Sequence, residues 1–375
     1  MPEQNGSGFY GSIHDNNQPD TTALKGVVMH ARILWAFAAA ASVKDEPRYL
    51  QMADKAFELL QQQFTDTEFG GVYWALNPDG TVADDKKQIY GLAFCIYGYA
   101  EYYRVTHNSL ALLEAKALFV CIEKYSYDVE RGGYIEAFSR NWMDAADLRL
   151  SEKDANERKT MNTHLHVVEA YANLYTVWPD KHLKQRVQYL LQLFIDRWIH
   201  PETGHLHLFM DDDWQLRSSL VSYGHDIEAA WLLLQCAEQI QDQLLQDAFK
   251  SLAPMITKAA LRGWDPIKGG LWYEYDPKVQ LLIKEKHSWP QAEALIGLMN
   301  AFVITDNPVY LKKLFMTQQF IEHAIQDKEN GEWHWGVYED GTLMQKEKAG
   351  FWKCPYHNAR AFIELSRRID ALLSD

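Results

Sequence analysis

A short segment of acidic, glycine and aromatic residues returns along this chain at a fixed step, and that repeat constrains the fold more than any other feature. It reads DTEFGGVYW from Asp66, DVERGGYIE from Asp128, DPIKGGLWY from Asp265 and DKENGEWHW from Asp327, with a looser copy, PETGHLH, from Pro201. Asp66 and Asp128 are 62 residues apart, and so are Asp265 and Asp327. Each copy predicts a tight turn followed by a short alternating strand. Between copies lie two kinds of helical pattern. One is amphipathic, as at 49–63 and 183–198. The other is apolar on most sides, at 30–41, 90–103, 164–177, 224–239, 289–303 and 356–369. A helix apolar on most sides is buried on most sides. Six buried helices alternating with six outer ones account for the whole chain. The expectation is an all-α single domain, 1–375, of the (α/α)6-barrel class, a double-layered helical toroid with short β-hairpins at one end. An open solenoid of helical hairpins is the competing arrangement.

Composition narrows the function. The 375 residues are 47% hydrophobic and 23% charged, as in ordinary folded chains. A net charge of -14 disfavours nucleic acid and anionic membrane surfaces as partners. No apolar run is long enough to span a bilayer, and residues 1–20 show no apolar core of a secretory signal. The four cysteines are scattered, which fits a reduced, cytoplasmic protein rather than a disulfide framework. Thirteen Trp, 20 Tyr and 14 His fit a large aromatic core or a pocket that stacks on flat polar ligands such as sugars. The polar stretch 141–159 lengthens one repeat and is expected to form an extended loop over a cavity mouth.

The starts of the apolar helices carry unusual polar groups in register. They include Arg32 with His30, Tyr90, Asn162 with His164 and His166, His225 with Glu228, Trp289 with Glu293, and Trp352 with His357. Any one of them has an ordinary packing role; the set in register points to a shared site. Histidine both removes and returns protons near neutrality. Arg32 is suited to holding an oxyanion, Glu228 to orienting His225, and Trp289 and Trp352 to stacking on a pyranose face. No metal is expected: His164 and His166 would face different sides of a helix, and His205 with His207 lack an evident third ligand. Phosphate-binding glycine loops and GxSxG are absent from the sequence.

At these residues the sequence resembles the acylglucosamine 2-epimerase superfamily, and within it the cellobiose 2-epimerase branch. The stretches are HARILW from His30, MNTHLHVVEAY from Met161, GHDIE from Gly224, WPQAE from Trp289 and WKCPYHNAR from Trp352. The resemblance implies an isomerase that epimerises C2 of a reducing-end glucose or mannose residue through a cis-enediolate, with no cofactor and no metal. It implies His225 and His357 as the acid/base pair, Arg32 and His166 as enediolate stabilisers, and Glu228 as the carboxylate supporting the first histidine. Asn162, Trp289, Glu293 and Trp352 match sugar-lining residues, and Trp231 and Tyr90 complete the expected substrate-binding set. Where many members of that branch have two adjacent tryptophans, this chain reads Ser288-Trp289. Ser288 removes stacking surface from an outer subsite, which weakens preference for a disaccharide over free mannose or glucose by on the order of 1 kcal/mol. An aldose–ketose isomerase acting on mannose is the nearest alternative. An inverting glycoside hydrolase, which needs two spaced carboxylates such as Glu228 and Glu293, and a silent sugar-binding protein are more remote. The expected partner is a small sugar, and the expected state is a monomer or homodimer.

Overall fold

The computed structural model describes residues 1–3 and 8–374. Eleven helices follow one another among the described residues: α1 (Val27–Val43), α2 (Pro47–Leu59), α3 (Ile89–Thr106), α4 (Ser109–Cys121), α5 (Met161–Val177), α6 (Lys181–Leu193), α7 (Tyr223–Gln239), α8 (Gln243–Ala260), α9 (Ser288–Thr305), α10 (Pro308–Phe320) and α11 (His357–Ser374). The helices begin and end close to where the periodicity places them. Five outer helices are present among the described residues, where the repeat suggested six. Residues 8–26 form short strands instead of a leading helix, and α11 is the last helix among the described residues. Nor is α11 buried on most sides: Phe362, Ile369, Leu372 and Leu373 are exposed.

Two compact units make up the chain. The first comprises Met1–Leu190, Phe209–Arg217 and Glu347–Tyr356; the second comprises Leu191–Leu208, Ser218–Lys346 and His357–Asp375. In the first, α1, α3 and α5 pack as a row, with α2 behind α1 and α4 behind α3. In the second, α7, α9 and α11 form the row, with α8 behind α7 and α10 behind α9. Apart from α11, the row helices bury alanine, leucine and aromatic side chains on nearly every side, which is why their sequences lack a polar stripe.

Each repeat ends its outer helix the same way. A π-helical turn (Leu60–Phe64, Ile122–Ser126, Phe194–Trp198, Ile321–Ile325) or a 3-10 turn (Leu261–Gly263) leads into the acidic turn. Asp66 Oδ1 accepts the N–H groups of Glu68 and Phe69, and the same bonds recur at Asp128, Asp265 and Asp327. Gly70 and Gly71 take φ of +76° and +74°, which the turn requires. A lysine just ahead of the next row helix then reaches back to the aspartate: Lys87 to Asp66 at 2.7 Å, Lys159 to Asp128 at 3.1 Å and Lys286 to Asp265 at 2.6 Å. The expected strand does follow each turn. It pairs with the two residues before the row helix that precedes it, Ala137–Phe138 with Lys87–Gln88 and Gly336–Val337 with Lys286–His287, and after the Asp66 and Asp265 turns it also closes a hairpin, Ala75–Leu76 with Val82–Asp84 and Glu274–Asp276 with Leu281–Ile283.

The long polar stretch is an extended loop, and it is fastened down within the first unit. Arg140 bonds Asp66 and Glu68, and the Trp142 ring stacks on Tyr125 at 4.3 Å while its N–H donates to the Phe69 carbonyl. Lys86 donates to the Arg149 carbonyl, Gln88 to the Leu148 carbonyl, and Arg158 bonds Asp212 and Asp144. The four cysteines are free thiols, and among the described residues no helix is long and apolar enough to cross a membrane.

Candidate active site

The starts of the row helices sort their polar residues into two kinds. Four residues into α5, His164 turns back on its own helix start: its Nδ1 meets the Thr160 carbonyl at 2.7 Å and its Nε2 accepts the Tyr134 N–H at 2.9 Å. Because a backbone N–H can only donate, the proton sits on Nδ1 and the ring is neutral. Gln291 fills the same place in α9, donating to the His287 carbonyl and accepting the Leu271 N–H. His30 likewise bonds the Gly26 carbonyl. Burial pushes His30 and His164 down to about 4. His164 holds the repeat's turn to its helix, and His30 bonds the start of its own.

The other residues form a cluster in each unit. In the first unit Arg32, on α1, is buried with its guanidinium over the Phe94 ring at 4.3 Å. It donates to the Trp352 carbonyl at 2.9 Å and to the Tyr90 hydroxyl at 2.8 Å. His166, on α5, packs edge-on to Tyr90, and its Nδ1 meets Glu169 Oε2 at 2.7 Å. The Tyr356 hydroxyl donates to the other oxygen of Glu169 at 3.2 Å. Trp352 and Asn162 are only half-buried, and the Asn162 Oδ1 has no partner among the described residues.

In the second unit the indole of Trp289 contacts two histidines, with ring centroids 4.9 Å from His225 and 5.6 Å from His357. These three are half-buried, so part of each is open to a ligand. The His357 Nδ1 meets Glu293 Oε1 at 2.6 Å. The carboxylate accepts, so Nδ1 carries the proton and Nε2 is the nitrogen left to exchange one. Glu293 is wholly buried, accepts Arg360 at 2.8 Å on Oε1, and takes the Trp231 N–H at 3.1 Å on Oε2. Arg360 also bonds Glu228 and lies over the Trp231 ring at 5.0 Å.

The expected pairing of Glu228 with His225 is corrected by this geometry. Glu228 is spent on Arg360, and the group on the His225 Nδ1 is the Ser222 hydroxyl, at 2.8 Å. The carboxylate that orients a histidine here is Glu293, on His357. Trp231 and Glu293 are buried beneath that histidine, so they support it rather than offer a face to a sugar. Glu228, Glu293 and His357 do present donor atoms within 4.8 Å of one another, as a metal site would. The Arg360 guanidinium already supplies the cation there. Sequence reasoning missed Glu169, Arg360 and Ser222. Glu169 and Arg360 each stand three residues after a site histidine, the spacing that brought Glu228 to notice, and Ser222 stands three before His225.

The family model of N-acylglucosamine 2-epimerase (GlcNAc 2-epimerase) matches residues 8–361. The chain belongs to the N-acylglucosamine 2-epimerase family. As a member of it, the chain is a carbohydrate epimerase, and so an isomerase. It is 44% identical to the cellobiose 2-epimerase of Bacteroides fragilis over 97% of this chain and 93% of that one. The solved cellobiose 2-epimerase of Bacillus thermoamylovorans superposes with a TM-score of 0.94 at 35% identity, covering 98% of this chain and 94% of that one. A D-mannose isomerase structure shares the fold, with a TM-score of 0.84 at 22% identity over 96% and 92% of the two chains. The fold is therefore the (α/α)6 barrel that the repeat predicted.

Proposed function

We propose that this family member reversibly epimerises C2 of a reducing-end glucose or mannose residue, on a disaccharide of the cellobiose type and on free mannose or glucose. The observation that carries the reading is the pair of half-buried histidines contacting Trp289. Two proton carriers beside one flat ring on which a sugar can stack suit a reaction that removes a proton from C2 and returns one to it. The sugar ring opens, one histidine takes the C2 proton, and the electrons move into a cis-enediolate. The second histidine then delivers a proton to the opposite face. Arg32 and His166 stabilise the enediolate oxygens, since a buried guanidinium and an imidazole donor act most strongly out of bulk water. Trp289 and Trp352 supply stacking surface, and Asn162 supplies an unspent acceptor for a sugar hydroxyl. The relatives named cellobiose 2-epimerase support a disaccharide, while Ser288 beside Trp289 supports tolerance of a single sugar.

The test is proton NMR of the purified chain with cellobiose, and separately with mannose, in deuterated water. A C2 epimer carrying deuterium at C2 is expected. A ketose labelled at C1 would instead make the chain an aldose–ketose isomerase, and a loss of intact disaccharide would make it a hydrolase.

A further inference from the structure

We infer that Arg360 is a positioning residue that sets the protonation range of His357 by dividing one positive charge between two buried carboxylates. The inference rests on the two-histidine reading above and deepens it. Glu228 on α7 and Glu293 on α9 are both about 1% exposed or less, and neither is near solvent that would soften its charge. Two carboxylates so placed cannot both stay ionised without a cation between them. Arg360, itself 1% exposed, donates to both and is held flat against Trp231. Glu293 in turn holds the His357 Nδ1 at 2.6 Å.

The net charge that His357 meets through Glu293 is therefore set one residue further away. Of the other charged groups around α11, Glu332 accepts the Asn358 amide, and Glu364 pairs with Arg367 and Arg368. The nearest other imidazole, His225, meets the same Trp289 ring as His357. With Arg360 in place, Glu293 orients the imidazole without binding it into a permanent ion pair, so Nε2 can give and take a proton near neutrality. Without Arg360 the uncompensated carboxylates favour imidazolium, and the acid limb of the rate profile moves to higher pH.

The experiment follows the His357 imidazole by NMR titration in R360M, R360K and E228Q of the full chain, with the resonance assigned by its absence in H357A. R360M is expected to raise the His357 midpoint by about one pH unit, the shift typical of one added nearby charge. Its kcat should fall about 10- to 100-fold with little change in KM. R360K keeps the cation and should hold the midpoint near wild type, though its single ammonium cannot fork to both carboxylates. E228Q leaves Arg360 to Glu293 alone and should move the midpoint the other way, which keeps the test decisive if R360M fails to fold. A His357 midpoint unchanged in both R360M and E228Q overturns the inference. The titration needs no turnover, so it is separable from the activity itself: a wild-type chain that puts no deuterium at C2 of any aldose overturns the epimerase reading and leaves the titration result standing.

Discussion

The Nδ1 atoms of His30 and His164 point at the carbonyls of Gly26 and Thr160, one helical turn back; those of His166 and His357 point at carboxylates. That difference separates histidines that staple a turn from histidines that can work on a substrate, and it sets the first predictions. H357A and H225A should each lower turnover at least about 10³-fold while leaving the melting temperature close to wild type, because both side chains are half-buried and remove no core volume. Comparable turnover in either variant would sink the two-histidine mechanism; epimer formation and circular dichroism melts together report both quantities. At this scale the sequence was legible in part. The register of His166, His225, Trp289 and His357 marked the site, because a shared step of about one repeat is visible without coordinates. It did not show which of His164 and His166 faces a ligand, since two residues apart on a helix start they look alike. Nor did it show that Glu228 belongs to Arg360, because a carboxylate three residues from a histidine is within reach of several neighbours and only packing picks one.

Two small devices recur among the repeats. The residue four places after the helix cap accepts an N–H from the preceding turn, and His164, Asp226 and Gln291 all do this. Equivalence of place predicts that H164Q folds with activity intact, and that its stability depends less on acid. The sign follows from the lowered value. A histidine at about 4 in the fold and 6.5 when unfolded leaves the unfolded chain holding more protons between those limits. Stability is thus lost as pH falls from about 6.5 to 4, by up to about 3 kcal/mol for one such group. Melts at pH 7 and pH 4.5 should show H164Q gaining on wild type at the lower pH; a parallel fall in both would contradict it. The buried Lys–Asp pair is the second device. K286M strands Asp265 in the turn and is expected to cost about 3 kcal/mol, read by denaturant unfolding. The aspartates and glycines of the turns announce themselves by their spacing, whereas the lysines do not. A lysine before a helix is usually a solvated charge, and only the strand pairing shows that Lys87, Lys159 and Lys286 are turned inward.

Across the whole molecule these local groups add up to a chain built for neutral conditions. Asp66 and Asp265 are buried and Asp128 is half-buried, which alone would raise them. The cations and amide N–H groups around them outweigh that and hold each carboxyl below the usual range. Their stabilisation is present above about pH 4 and is lost as pH falls through the lowered values. His30 and His164 weaken the fold already from about pH 6.5 downward. Glu136 runs the opposite way: burial raises it to about 7, so its contribution weakens as pH rises from 4.5 and offsets part of the histidine effect. The expected profile is a melting temperature that is highest near neutrality and falls steeply below about pH 4.5. Prolonged dialysis against a chelator should leave turnover unchanged, since the Glu228–Glu293 pair is already neutralised by Arg360.

The loop that lengthens the second repeat is stitched to its unit by Arg140, Trp142, Lys86, Gln88 and Arg158, along most of its course. A segment fastened at so many points does not swing between turnovers. Sugar then comes and goes without waiting for it, and the slow event in the cycle is left to the breaking of a carbon–hydrogen bond. Mannose deuterated at C2 should therefore turn over several-fold more slowly than its protium counterpart, and added viscogen should leave the rate where it was.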